Sequence, residues 1–287
     1  MAYAQGSQWP LTAAATHVLL ALPASSAPKG ASAPEPKDAV KLALKELILR
    51  GAFRVQIQKR RLRKDKVTLL PGENANLPQT LGVVDLFLRP HTPNEIGRVI
   101  KGARKSDATL IKDIGESFLE ELVERGLVES VREKVLGLFP RTRWRRTAAG
   151  DAWAASAAEH VARLEALPGE AESQPETAVR VAAVAGALVL MVPAALGVVG
   201  RLRRRLGHHG GDLHVDFAYT GTDFDLFDGV GDMFDSALEG GLDGIDSIDS
   251  ALDSVADSID SGVDAGVDSG GGDGGGDGGG DGGGGGN

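Results

Sequence analysis

The chain has 287 residues, 40 glycines, no cysteine and a net charge of -9. The missing cysteines exclude a disulfide framework, a thiolate metal site and a cysteine nucleophile. The charge is divided: residues 1–205 carry 31 basic and 21 acidic groups, hence +10, whereas residues 206–287 carry 19 acidic groups and no Lys or Arg, hence -19. Such asymmetry points to an anionic partner for the basic part and to an acidic tail able to contact a basic surface.

Residues 1–37 read as an N-terminal helix and loop that pack on the body. The apolar stretch His17 to Leu22 has no basic segment before it, which argues against a secretory signal. Pro, Ser and Gly punctuate 23–37 as a loop. Asp38 is the expected N-cap of a helix to Arg50, with Val40, Leu44, Leu47 and Ile48 as its apolar stripe and Gly51 as its stop. Phe53, Val55 and Ile57 alternate with polar residues as in a half-buried strand, and Val67 to Leu70 return as its partner. Between them lies a basic turn: Lys59, Arg60, Arg61, Arg63, Lys64 and Lys66. A solvated hairpin tip is the plain reading. Six cations in eight residues repel one another, however, which favours an anion-binding role.

The helix-then-hairpin pattern recurs 75 residues later, with Leu44 to Gly51 aligning on Leu119 to Gly126. Both copies have the outline of a winged-helix half. In the second, Leu127 to Val131 lead out, Arg132, Glu133 and Lys134 turn, and Val135 to Phe139 return. Arg141, Arg143, Arg145 and Arg146 follow around Trp144. The apolar run Val135 to Phe139 is either a core strand or a hairpin tip suited to the acyl boundary of a bilayer. Thr80–Leu88 and Thr92–Ala103 read as helices between the copies, and 151–166 as an Ala-rich helix before a loop at 168–176.

Val181 to Gly200 is twenty residues without a charge, followed by Arg201, Arg203, Arg204 and Arg205. That length fits either a buried helix or a membrane span. Beyond it, Phe224, Phe227, Val230 and Phe234 begin an apolar stripe separated by Asp, and the chain ends in a Gly-rich run with three Asp, from Gly270. Residues 207–287 are expected to be a disordered acidic tail. The GGGD repeat lacks the period and apolar position of calcium-binding glycine repeats. His208, His209 and His214, near Asp212 and Asp216, read as a polar linker rather than a metal site. No Walker loop, nucleophile elbow or dinucleotide fingerprint is present, so a non-enzymatic protein without cofactor or metal is expected.

Leu122 to Val128, followed by Lys134 to Trp144, resembles the Golgi phosphoprotein 3 family in its bacterial form. Leu44 to Gly51 resembles that family's early helix, ending in a Leu-x-x-Arg-Gly turn, and Val83 to Phe87 falls where its next helix lies. The resemblance covers about 15–205. It implies a compact, mainly α domain with small β-hairpins, spanning 38–206 here and containing the two winged-helix-like units. It also implies docking on membranes: Golgi members read phosphatidylinositol 4-phosphate through a Trp and several Arg and insert a hydrophobic β-hairpin. Here Lys112 falls near one such basic position and Gly115 stands at the next; Val40 stands at a third, with Lys41 adjacent, and the loop 23–37 lacks the Trp.

The expectation is a peripheral protein on the cytoplasmic face of a membrane. Lys41, Lys59, Arg60, Arg61, Arg63, Lys64, Lys112, Arg141 and Arg143 would meet anionic headgroups of phosphoinositide type, and Leu136, Leu138 and Phe139 would insert. Anionic lipids are the expected partner, with a protein client open and nucleic acid disfavoured. The alternatives are an integral protein anchored by 181–200 and a winged-helix nucleic-acid binder.

Overall fold

The structure is a computed structural model that describes residues 9–58, 66–72, 77–107, 109–135 and 139–199. The basic turn 59–65, the hairpin tip 136–138 and the acidic tail lie outside them.

The fold is mainly helical with two small antiparallel sheets among the described residues, and it is built twice. The first unit comprises α1 (Ala13–Ala21), α2 (Pro36–Leu49), β1 (Phe53–Gln58) and β2 (Lys66–Pro71). The second comprises α3 (Gln79–Leu88), β3 (Asn94–Glu95), α4 (Ile96–Ser106), α5 (Leu110–Glu124), β4 (Val128–Val135) and β5 (Phe139–Arg146). The 75-residue offset seen in the sequence persists at atomic detail. In α2, Gly51 donates to Ile48 and Ala52 to Leu47; in α5, Gly126 donates to Val123 and Leu127 to Leu122. Gly51 and Gly126 have φ of 74° and 69°, the left-handed conformation that ends a helix and that a Cβ would penalise. Gly72 donates to Ala52 just as Thr147 donates to Leu127, closing the base of each hairpin.

The two units pair with each other. β3 belongs to the second unit but pairs with β2 of the first, with Leu69 opposite Asn94. Ala31 belongs to the first unit but bridges Trp144 on β5 of the second. Leu69 and Trp144 are again 75 residues apart. The first hairpin thus takes its third strand from the second unit, and the second hairpin is bridged by a single residue of the first, so backbone hydrogen bonds tie the halves together.

Packing follows the periodicity. Leu44 and Leu47 of α2, Phe53 at the root of β1, and Ile114, Phe118 and Leu122 of α5 are fully buried in one core. Burying each such side chain contributes about 1.5–3 kcal/mol before entropy is counted. Arg89 stacks 5.5 Å from the Phe53 ring and donates to the carbonyls of Ala52 and Gly72, stitching α3 to the first hairpin's base.

Helices α6 (Ala148–Glu170) and α7 (Pro175–Ala185) close the body. The apolar segment 181–200 is broken: α7 ends at Gly186, whose φ is 55°, a 3₁₀ turn runs Gly186–Met191, and a helical stretch occupies 193–199. Leu188, Val189, Ala195 and Leu196 are buried against the rest of the core. Among the described residues no helix is long and apolar enough to cross a membrane.

Several boundaries differ from the sequence expectation. Pro36 starts α2, with Glu35 at the cap position and Asp38 inside the first turn, because a proline at N1 needs no amide partner. Arg132, Glu133 and Lys134 do not turn the second hairpin; they continue β4, and the ladder runs on to Val135 opposite Phe139. The helix expected at 92–103 begins at Ile96, because Asn94 and Glu95 are drawn into the sheet. The loop expected at 168–176 is shorter, since α6 carries Pro168 within its last turn and ends at Glu170.

Candidate functional site

The hairpin β4–β5 pairs eight residues on each strand, from Val128 opposite Arg146 to Val135 opposite Phe139. Successive strand residues alternate faces, so Arg141, Arg143 and Arg145 share one face with Glu129 and Val131, and Trp144 and Arg146 take the other. Along this strand the cations are not equivalent. Near the root, Arg145 donates to Glu129 at 2.6 Å and Arg146 to Asp151 at 2.9 Å, so both charges are matched. Further out, Arg143 donates to the neutral hydroxyl of Ser32 at 2.7 Å, and its Nε is buried without a hydrogen-bond partner among the described residues. Arg141 is exposed, three residues from Leu138 of the tip, with Glu133 opposite it in the register. Among the described residues Arg143 is thus the β5 cation set against a neutral partner, and it lies further out than the two ion-paired at the root.

The loop 23–35 is laid along the outer edge of β5. Arg146 N–H donates to the Pro23 carbonyl, and Ala31 and Trp144 exchange both backbone hydrogen bonds, at 2.9 and 2.8 Å. A Cβ on Gly30 would stand 2.7 Å from the Arg143 Cβ, so this crossing requires glycine. Asp151 Oδ2 accepts from both the amide and the hydroxyl of Ser25, at 3.0 and 2.5 Å. These bonds, and Arg146 beside them, hold the Asp151 carboxyl below the usual carboxylate range.

The loop then enters α2 against α5. A Cβ on Gly115 would meet the Pro36 Cβ at 2.7 Å, so the start of α2 touches the second turn of α5. Lys112 lies one turn earlier on α5, 72% exposed and 3.6 Å from Glu116. Lys41 is half-buried on α2, beside the buried Val40. The structure thus brings together the loop 30–32, Arg143 and the start of α2, with Gly115 against Pro36 and Lys112 a turn away.

Other predicted residues are placed elsewhere or are not described. Lys66 lies on the first sheet, 3.6 Å from Glu95. Lys59, Arg60, Arg61, Arg63, Lys64, Leu136 and Leu138 lie outside the described residues, as do His208, His209 and His214, and Phe139 is placed by its backbone pairing alone. Among the described residues, no group of three His, Cys, Asp or Glu side chains could hold a metal.

A second basic surface was not anticipated. α4 carries Arg98, Lys101, Arg104 and Lys105 and no acidic residue. Its apolar side, Ile96, Val99, Ile100 and Ala103, is buried, whereas Arg98, Lys101 and Lys105 are exposed. Their spacing of three and then four residues sets the three on one face, a signal visible in the sequence once the helix boundaries are right.

These features define a class: a mainly helical scaffold of two winged-helix-like units joined by backbone pairing between them, with an Arg-rich hairpin beside a loop and the start of α2. The family model for Golgi phosphoprotein 3 (GPP34) matches residues 43–208, more than half of the chain, and the chain belongs to that family. No match was found among curated proteins. The match begins within α2, yet α1 and the loop before α2 are integral to the body: Trp9, Leu11, Val18 and Leu19 are buried in the same core.

Proposed function

We propose that the protein is a peripheral membrane protein that docks on anionic lipid headgroups. The observation that carries this reading is the polarity of the β4–β5 hairpin. Cations at its root are matched by Glu129 and Asp151, Arg143 and Arg141 lie further out, and the ladder leads into the apolar sequence Val135 to Phe139. A strand pair that is ion-paired at its base, cationic further out and apolar at its end matches the layers of a bilayer surface. Headgroup phosphates meet the Arg, and the acyl boundary receives the tip. Each Lys or Arg brought to an anionic surface contributes about 1 kcal/mol, and the gain falls off within a Debye length. Lys112, Lys41 and the run Lys59 to Lys64 add to this attraction. Membership of the Golgi phosphoprotein 3 family supports membrane docking. Phosphoinositide-type headgroups on the cytoplasmic face are the finer form of the reading.

The test is co-sedimentation of the full chain with neutral phosphatidylcholine vesicles and with vesicles carrying phosphatidylserine or phosphatidylinositol 4-phosphate. Binding restricted to anionic vesicles, reduced by salt and weakened by Arg141→Glu, is expected. Equal binding to neutral and anionic vesicles at low salt would overturn the reading.

A further inference from the structure

We infer that the exposed face of α4 is the docking site for the chain's own acidic segment, residues 212–268, which thereby offsets the positive charge that draws the protein to an anionic membrane. The regulatory half of this statement rests on the proposed lipid docking; the contact itself does not.

Two observations point to α4 rather than the second hairpin. The hairpin's root cations are already matched by Glu129 and Asp151. α4, in contrast, presents Arg98, Lys101 and Lys105 over eleven residues that include no acid, between Glu95 at its start and Asp107 at its end. Arg98 lies 3.7 Å from Glu95, and Glu95 also faces Lys66, so this acid is shared between two cations. Lys66 begins β2, with Asp65 between it and the basic run Lys59 to Lys64.

The occupant is specified by charge, pattern and tether. Residues 206–287 hold 19 acidic groups and no Lys or Arg. Within them Leu242, Ile245, Ile248, Leu252, Val255 and Ile259 recur every three or four residues with Asp between, a pattern that can order itself against a charged surface. A random coil of 40 residues would span roughly 35 Å, against a radius of gyration of about 16 Å for a body of this size, a tether long enough for the acidic stretch to meet any face. Tethering sets an effective concentration near the millimolar range, enough to make individually weak ion pairs count together.

Zero-length carbodiimide cross-linking of the full chain, read after Asp-N cleavage, tests the contact. Cross-links within one chain from Lys101 and Lys105 to Asp residues of 212–268 are expected, lost in 1 M salt, where the screening length is about 3 Å. Their absence, or links only to other lysines or only between copies, overturns the inference. Full-length protein with the Asp residues of 212–268 changed to Asn should then bind phosphatidylserine vesicles at least several-fold more tightly; unchanged affinity overturns the charge offset. Cross-links present while neither form binds vesicles support the contact and overturn the lipid reading instead.

Discussion

Glu46 reaches across from α2 to accept the backbone N–H of Ala13 at 2.8 Å, capping α1 from inside the core. Its other oxygen accepts from Nε and Nη2 of Arg50, one turn on, at 3.0 and 2.8 Å. Glu121, its counterpart in the second unit, pairs with Arg125 in the same way and accepts from the Thr80 hydroxyl near the start of α3. One carboxylate per unit thus ties the first helix to the long one, but Glu46 is fully buried and Glu121 is not.

Replacing Glu46 by Ala strands the Ala13 amide and the Arg50 guanidinium and should cost about 2–4 kcal/mol. Glu121→Ala, at a wetter pair, should cost under about 1 kcal/mol. Denaturant unfolding distinguishes them; equal losses would contradict the asymmetry.

Burial raises the Glu46 carboxyl above the usual range, although Arg50 and the Ala13 amide oppose this. The folded state then holds its proton more tightly than the unfolded chain. The group's contribution to stability is greatest below the ordinary Glu value, near pH 4.3, and declines as pH rises through the folded value. Glu46→Gln should remove this decline from the stability–pH curve, and a curve unchanged by the substitution would refute it.

Asp151 has the opposite sign. Its carboxyl is held low by Ser25 and Arg146, so its contribution is present above about pH 3.9 and lost as pH falls through the folded value. Hydrogen exchange at the Ser25 amide, corrected for intrinsic rate, should therefore accelerate on acidification, and at neutral pH in Asp151→Ala. An amide equally protected in the variant would show that the loop is held by other contacts.

Glycines at three points separate two kinds of constraint. A Cβ at Gly126 meets nothing within 4 Å, so Gly126→Ala carries only the left-handed backbone cost of about 1–2 kcal/mol. A Cβ at Gly72 or Gly150 would stand 2.0 Å from the carbonyl oxygen of Gly51 or Leu127, so Ala at either must push the hairpin base apart. Thermal unfolding should show a far larger loss for Gly150→Ala than for Gly126→Ala.

Local signals carried much of this fold. Leu44 to Gly51 and Leu119 to Gly126 disclosed two helices with glycine stops, and the alternation of Phe53, Val55 and Ile57 disclosed a strand, because 3.6- and 2-residue periods are imprinted by one-sided burial. Pairing between the units was invisible: Ala31 and Asn94 find their partners far away in the chain, and nothing adjacent marks them. The turn of the second hairpin was placed too early because Arg132, Glu133 and Lys134 have turn-like polarity, yet a two-stranded ladder admits charge, as exposed Arg132 and Arg141 show. The site was legible as composition, an Arg-rich stretch beside an apolar run. Which Arg are neutralised depended on Glu129, Asp151 and Ser32, whose positions only the fold supplies. The basic face of α4 was missed because a helix drawn from Thr92 to Ala103 excludes Arg104 and Lys105.

Insertion of the second hairpin's tip is the central claim, and the absence of native cysteine makes it directly measurable. Leu138→Cys carrying an environment-sensitive fluorophore should brighten and shift to the blue with anionic vesicles, while the same label at exposed Glu165 on α6 stays unchanged. A label at 138 that reports water in the presence of vesicles that bind the protein, or one that responds no differently from 165, would contradict the account.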